Sequence, residues 1–202
     1  MNLTSILTRP LISWGILMGV YVIHAVGFWD WIVDDGGISL TYARSLAEGV
    51  GLVPQAGRPP TEAYSNPLWI GLCAVGMWLG VEDLYFLVSG WNLIFLGITA
   101  YVWISAGKRW LKWSPIWSFI FLMSLCSASP LIRWMNSGLE NGLYLLLLSL
   151  YVIEMYKGEE DKWSGVYLGL LALVRPEGIL FGVLYLGYFG QRKPGEAMLD
   201  IG

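Results

Sequence analysis

Long apolar stretches almost free of charged residues constrain this chain more than any other feature of its sequence. A helix that crosses the hydrocarbon core of a bilayer needs roughly 20 apolar residues, and the segments 11–29, 84–107 and 113–132 are of that kind. Only 13% of the residues are charged, too few to cover the surface of a soluble globule. The 12 tryptophans and 11 tyrosines are types that favour the membrane–water interface. The sequence therefore predicts an all-α integral membrane protein, and its net charge of −3 indicates no nucleic-acid partner.

Further apolar stretches are predicted to complete the membrane part. Segment 141–156 is shorter, and segment 163–190 is interrupted at 175–178, where the chain is expected to fold back. Segment 67–81 is too short for a full crossing and contains glycines, which indicates an interfacial or re-entrant segment. The first stretch is longer than the apolar part of a signal peptide, so it is predicted to remain as an uncleaved span. The sequence thus predicts a polytopic protein with about five to six membrane helices.

The distribution of lysine and arginine predicts an orientation, because cytoplasmic loops are enriched in these residues. A cytoplasmic N-terminus places eight of the 12 basic residues inside: Arg9, Lys108, Arg109, Lys112, Lys157, Lys162, Arg192 and Lys193. The same orientation gathers acidic residues outside: Asp30, Asp34, Asp35, Glu48, Glu62, Glu140 and Glu177. We therefore expect a multi-pass protein of the cell membrane, in contact with membrane lipids, whose active face is external.

The first external loop, 30–66, contains the most informative residues. Asp34 and Asp35 are adjacent, and the spacing of Ile38, Tyr42 and Leu46 that follows them predicts an amphipathic helix over 38–48 that lies on the membrane surface. One carboxylate of such a pair can act as general base towards an acceptor hydroxyl. The pair can also hold a divalent cation, Mg²⁺ or Mn²⁺, against a phosphate leaving group. The alternative is an aspartate that caps the helix beside a solvated one.

Three sequence blocks resemble a known family. Residues 33–69 read VDDGGISLTYARSLAEGVGLVPQAGRPPTEAYSNPLW, residues 129–148 read SPLIRWMNSGLENGLYLLLL, and residues 170–180 read LLALVRPEGIL. The first block resembles the first external loop of GT-C-type, polyprenyl-phosphate-sugar-dependent glycosyltransferases. All three blocks are most similar to the branch that contains the mycobacterial terminal arabinofuranosyltransferases, and they occur in the same order.

The resemblance implies a GT-C-like fold and an inverting transfer at the outer face of the membrane. A polyprenyl-phosphate-linked sugar would be the donor, and a glycan or lipid hydroxyl the acceptor. Asp34 or Asp35 would be the catalytic base, with the same two residues as the metal ligands if a cation is required. The residues implied to bind substrate are Arg44, Glu62, Glu140, Arg175 and Glu177.

Arg175 suits a phosphate, because its planar guanidinium donates several N–H bonds in a fixed geometry. The alternative is a structural ion pair with Glu177 or Glu140. The chain departs from the family pattern at Gly36 and Gly37, which replace a small and an aromatic residue, and at Thr41, which replaces an arginine.

Residues 1–202 are expected to form the N-terminal part of a GT-C-like membrane domain, because family members are longer.

Two further functions stay open. A transporter or lipid flippase fragment would use Arg175, Glu177 and His24 along a pathway, although a structural role is the simpler interpretation of His24. A non-catalytic membrane subunit would keep the fold without the chemistry.

Asn92 is predicted to join helices, and Cys73 and Cys126 to be small buried residues.

Overall fold

A computed structural model describes residues 9–157 and 163–191, and every regular element in these ranges is helical. The predicted all-α class is therefore confirmed for this part of the chain. The helices are α1 Pro10–Ala25, α2 Asp34–Ala47, α3 Pro67–Trp78, α4 Leu84–Arg109, α5 Pro115–Cys126, α6 Ser129–Met135, α7 Asn141–Lys157, α8 Ser164–Val174 and α9 Gly178–Gln191. A short 3₁₀ turn, Val26–Phe28, extends α1.

Fewer helices than predicted are suited by length and composition to cross a membrane. Among the described residues, Pro10–Phe28 and α4 qualify with 19 and 26 residues, and α5 with α6 would make a third if the bent pair is one span. The prediction of about five to six spans therefore exceeds what the helix lengths give. Helix α7 has 17 residues, while α8 and α9 have only 11 and 14 because the chain breaks at Arg175.

The segment predicted as one span over 113–132 is broken by a bend of 60° between α5 and α6. Pro130 lies in the first turn of α6 and has no N–H to donate, so a helix that runs from α5 through this position would lose a backbone hydrogen bond. The hydroxyl of Ser127 donates to the carbonyl of Met123 at 2.7 Å, a local bond that bends or ends helices. The prediction of a continuous helix was wrong because it followed hydropathy alone.

Helix α4 lies at the centre of the bundle and contacts α1, α3, α5, α6 and α7. Asn92 joins it to α7, because its side chain accepts from the N–H of Gly142 at 2.7 Å and donates to the carbonyl of Leu139 at 3.0 Å. Further along both helices, the indole of Trp103 donates to the hydroxyl of Ser149 at 2.9 Å. Helices α4 and α7 therefore run in the same direction, and the predicted role of Asn92 is confirmed.

The chain folds back between α8 and α9, as predicted. Arg175 contacts Asn141 at the start of α7, whereas Phe181 and Tyr185 of α9 contact Tyr151, further along α7. Helix α9 therefore runs beside α7, away from Arg175. A Cβ atom at Gly178 would clash with the backbone of Leu171, so this close turn requires glycine.

The two ends of the bundle differ in charge. At one end Arg109 and Lys157 both lie over the ring of Trp110, at 5.7 and 4.6 Å from its centroid. At the other end, where α7 and α9 begin, lie Glu140 and Glu177. Arg175 lies with these two glutamates, and Lys162, Arg192 and Lys193 fall outside the described residues, so the two sides predicted from the charge distribution stay a prediction. Cys73 and Cys126 are buried and free, as predicted.

Candidate functional site

A cleft of about 1130 Å³ opens at the end of the bundle where α7 and α9 begin. It is formed by the first part of α2, the segment before α3, the turn into α7 and the break between α8 and α9. Of the predicted site residues, it brings together Asp35, Glu62, Glu140, Arg175 and Glu177. These residues come from segments far apart in the sequence, so tertiary folding alone places them in one cleft.

Arg175 lies in the break after α8 and has an extended backbone, with φ −150° and ψ 140°. Its Nε donates to Oε1 of Glu140 at 2.6 Å, and its Nη2 donates to Oδ1 of Asn141 at 2.9 Å. The guanidinium carbon also lies 5.6 Å from the ring centroid of Tyr144. Of the two predicted carboxylate partners, Glu140 is therefore the one that Arg175 contacts. The side chains are 29% and 5% exposed respectively, so the guanidinium is the more accessible group.

Glu140 is held from a second direction. Its Oε2 accepts from Nδ2 of Asn66 at 2.7 Å, and the same amide nitrogen donates to the hydroxyl of Ser39 at 3.0 Å. Ser39 in turn donates to the backbone carbonyl of Asp35 at 3.1 Å. A continuous network thus runs from Arg175 through Glu140 and Asn66 to the first turn of α2. Such a network fixes relative positions, because each buried polar group has its partner.

The acidic pair lies inside α2, which begins earlier than predicted. The helix starts at Asp34 instead of residue 38, its N-cap is Val33, and no side chain caps it. The interpretation of Asp35 as a cap is therefore wrong. Both aspartates are exposed in the first helical turn, where the helix dipole favours negative charge. Asp35 lines the cleft and Asp34 does not.

The start of α2 is positioned by the turn before α7. The N–H of Val33 donates to the carbonyl of Ser137 at 3.0 Å. A Cβ atom at Gly36 would lie 2.7 Å from the same carbonyl oxygen, whereas one at Gly37 would meet no atom within 4 Å. Glycine at position 36 therefore allows α2 to approach this turn.

Of the three residues predicted to share an apolar face of α2, the structure buries Tyr42 and leaves Ile38 and Leu46 exposed. Leu40, Tyr42 and Ala43 are buried against α3, whereas Ile38 and Leu46 are 41% and 37% exposed. The helix packs on α3 through Leu40, Tyr42 and Ala43, and contact of the exposed Ile38 and Leu46 with the membrane surface stays a prediction.

Arg44 is not brought to the cleft. It lines a separate cavity of about 370 Å³ at the other end of α2, together with Glu48, Trp78 and Glu82. The fold therefore separates Arg44 from the other predicted substrate-binding residues by most of the length of α2.

The aspartate pair does not fit a cation site built from protein ligands. In the described part of the chain, no three His, Cys, Asp or Glu side chains lie close enough to hold a metal ion. Successive residues of a helix point about 100° apart, and only Asp35 of the two lines the cleft. The two carboxylates therefore do not act as one chelating unit here.

Several residues of the cleft were missed by the sequence analysis. Asn66 and Asn141 hold the acidic and basic groups in place, and Trp134 forms part of the wall. The amides gave no signal of their own, although Asn141 directly follows Glu140. His24 is near Ser129 at 3.1 Å and does not line the cleft, which agrees with a structural role.

Comparison with known proteins gives no relative for this chain. No family model matches it, and no curated protein or solved structure matches it significantly. The geometry of the cleft and the resemblance of the sequence blocks are therefore the basis for a functional assignment.

Proposed function

We propose that the protein is a GT-C-like membrane glycosyltransferase that transfers a sugar from a polyprenyl-phosphate donor to an acceptor hydroxyl. One observation carries the proposal: four separate segments bring Asp35, Glu62, Glu140, Arg175 and Glu177 to a single cleft. In this proposal the protein is multi-pass, the cleft faces the outside of the cell membrane, and the opposite, basic end faces the cytoplasm.

Arg175 is the proposed contact for the donor phosphate. It is the only basic residue in the described lining of the cleft, and its ion pair with Glu140 anchors the guanidinium there. Because Glu140 also accepts from Asn66, it does not depend on Arg175 alone for its hydrogen bonds. A guanidinium at this position would stabilise the negative charge that develops on the phosphate as the sugar leaves.

Asp35 is the proposed general base. Its exposed carboxylate would accept the proton of the acceptor hydroxyl as the hydroxyl oxygen bonds to the anomeric carbon. The bond from that carbon to the phosphate oxygen breaks at the same time, and its electron pair leaves with polyprenyl phosphate. Attack on the face opposite the leaving group inverts the anomeric configuration, and Asp35 then releases its proton to water. A positioned base of this kind contributes about 10²–10⁴ in rate.

No observation favours the transporter or flippase alternative. Such a pathway was expected to include His24 together with Arg175 and Glu177. In the structure His24 is near Ser129 instead and takes no part in the lining of the cleft.

Titration of the purified protein with polyprenyl monophosphate, followed by calorimetry, tests the role of Arg175. Charge-assisted hydrogen bonds contribute about 1.5–3 kcal/mol, so Arg175→Ala should weaken binding by about 10- to 100-fold. Arg175→Lys keeps the charge and should weaken it less. Arg44→Ala is the matched control, because it removes the same charge outside the cleft and should leave the Kd unchanged. An unchanged Kd for folded Arg175→Ala and Arg175→Lys would contradict the proposal.

A further inference from the structure

Trp134 gives the cleft an aromatic wall. Trp134 is the second-last residue of α6. It is 48% exposed although it lines the cleft. The rest of the described lining is mostly polar, with carboxylates, amides and hydroxyls. An exposed indole among such groups offers a flat apolar face for a ligand whose edges form hydrogen bonds.

Trp134 is held through its ring and through its backbone. The ring of Trp31 packs edge-on against it, with centroids 5.7 Å apart and an interplanar angle of 67°. The guanidinium of Arg133 in turn lies 4.6 Å from the ring centroid of Trp31. The backbone carbonyl of Trp134 accepts from Asn141 at 2.8 Å and from Ser137 at 2.7 Å. Because Asn141 also accepts from Arg175, one amide side chain joins the backbone of Trp134 to the guanidinium.

The groups around this wall favour a ligand that carries no negative charge and donates hydrogen bonds. The carboxylates of Asp35, Glu62 and Glu177 line the cleft and repel an anion anywhere except beside Arg175. A neutral ligand with several hydroxyl groups suits both conditions, because ionised carboxylates only accept hydrogen bonds and hydroxyls donate them.

We propose that Trp134 is the stacking platform for a neutral sugar unit of the acceptor. The C–H face of the sugar ring lies on the indole, and its hydroxyl groups donate to the carboxylates across the cleft. The volume of about 1130 Å³ leaves room for such a unit beside a phosphate group at Arg175. The identification of the sugar as the acceptor rests on the proposed glycosyltransferase function, whereas its binding at Trp134 does not.

The test is saturation-transfer NMR on the full chain, purified in an oligoethylene glycol ether detergent that contains neither sugar nor ammonium groups. The probes are the methyl glycosides of glucose, galactose, mannose and arabinose, with tetramethylammonium as the cationic comparison. At least one glycoside should bind the wild type, and Trp134→Ala should weaken it about tenfold. Trp134→Phe keeps an aromatic face and the contact with Trp31, so it should retain most of the binding. Trp78→Ala removes an exposed indole outside the cleft and should change nothing.

Three results would overturn the proposal: no glycoside binds the wild type, both Trp134 variants bind as the wild type does, or tetramethylammonium alone binds at Trp134. These results are separate from the phosphate titration. Sugar binding lost in Trp134→Ala, with no effect of Arg175 on polyprenyl phosphate, would keep the platform and reject the donor site. The reverse result would reject the platform alone.

Discussion

At the scale of single residues, Glu140 is the side chain that connects the cleft to the fold. It is 4% exposed and accepts from both Arg175 and Asn66. Removing one partner of a buried ion pair costs more than removing both, because a charge is left without compensation. The energetic contribution of the pair is therefore measurable as a coupling between the two positions.

We predict that Arg175→Ala lowers the free energy of unfolding by about 2 kcal/mol, a value reduced for the partial exposure of the guanidinium. The double variant Glu140→Gln/Arg175→Ala should be more stable than the sum of the single effects implies. Thermal unfolding in detergent, followed by circular dichroism, gives the Tm values. Strictly additive shifts in Tm would show that the two side chains are not coupled.

Gly36 and Gly37 form a matched pair of adjacent positions in α2. Gly36→Ala places a Cβ atom 2.7 Å from the carbonyl oxygen of Ser137, whereas Gly37→Ala enters open space. Overpacking costs about 1–3 kcal/mol, while alanine in an unstrained helical position stabilises by about 0.4–1 kcal/mol. We therefore expect a lower Tm for Gly36→Ala and an equal or higher Tm for Gly37→Ala. Equal decreases in the two variants would contradict the close approach of α2 to the turn before α7.

At the scale of elements, the success of sequence prediction depended on what ends each helix. The segments 11–29 and 84–107 match Pro10–Phe28 and α4 within two residues at each end, because polar or charged residues interrupt their apolar runs. The start of α2 was missed, since it depends on contact with Ser137, about a hundred positions away in the chain.

The residues of the cleft also divide into those that the local sequence indicates and those that only the tertiary structure identifies. Charged residue types and sequence blocks indicated Asp35, Glu140 and Arg175, but nothing local showed which carboxylate Arg175 contacts. Asn66 and Asn141 were not predicted, because their amides become informative only when folding places them beside a charge. Arg44 was grouped with the others by sequence, yet the length of α2 separates it from the cleft.

The orientation of the bundle is a prediction at the scale of the whole molecule. Thr41 is exposed on α2, and Lys108 is exposed near the end of α4. Cysteines introduced at these two positions should react with an impermeant maleimide from opposite sides of the membrane, Thr41→Cys from outside. The native Cys73 and Cys126 are buried, so the background should be low. Reaction of both introduced cysteines from the same side would reject the proposed orientation, and with it the external cleft.

The central proposal for the cleft is that Asp35 is the general base and that Asp34 is not. Asp34 and Asp35 are both exposed in the first turn of α2, but only Asp35 lines the cleft. Substitution by asparagine keeps size and removes the charge, so Asp34→Asn is a matched control for Asp35→Asn.

The decisive measurement is the transfer of radiolabelled sugar from a panel of polyprenyl-phosphate-linked sugars to endogenous glycan in membranes that contain equal amounts of each variant. We predict that Asp35→Asn lowers the rate of sugar transfer by about 10²–10⁴, whereas the rate of Asp34→Asn stays within a few-fold of the wild type. Full activity of Asp35→Asn, or no transfer above background by the wild type, would contradict it.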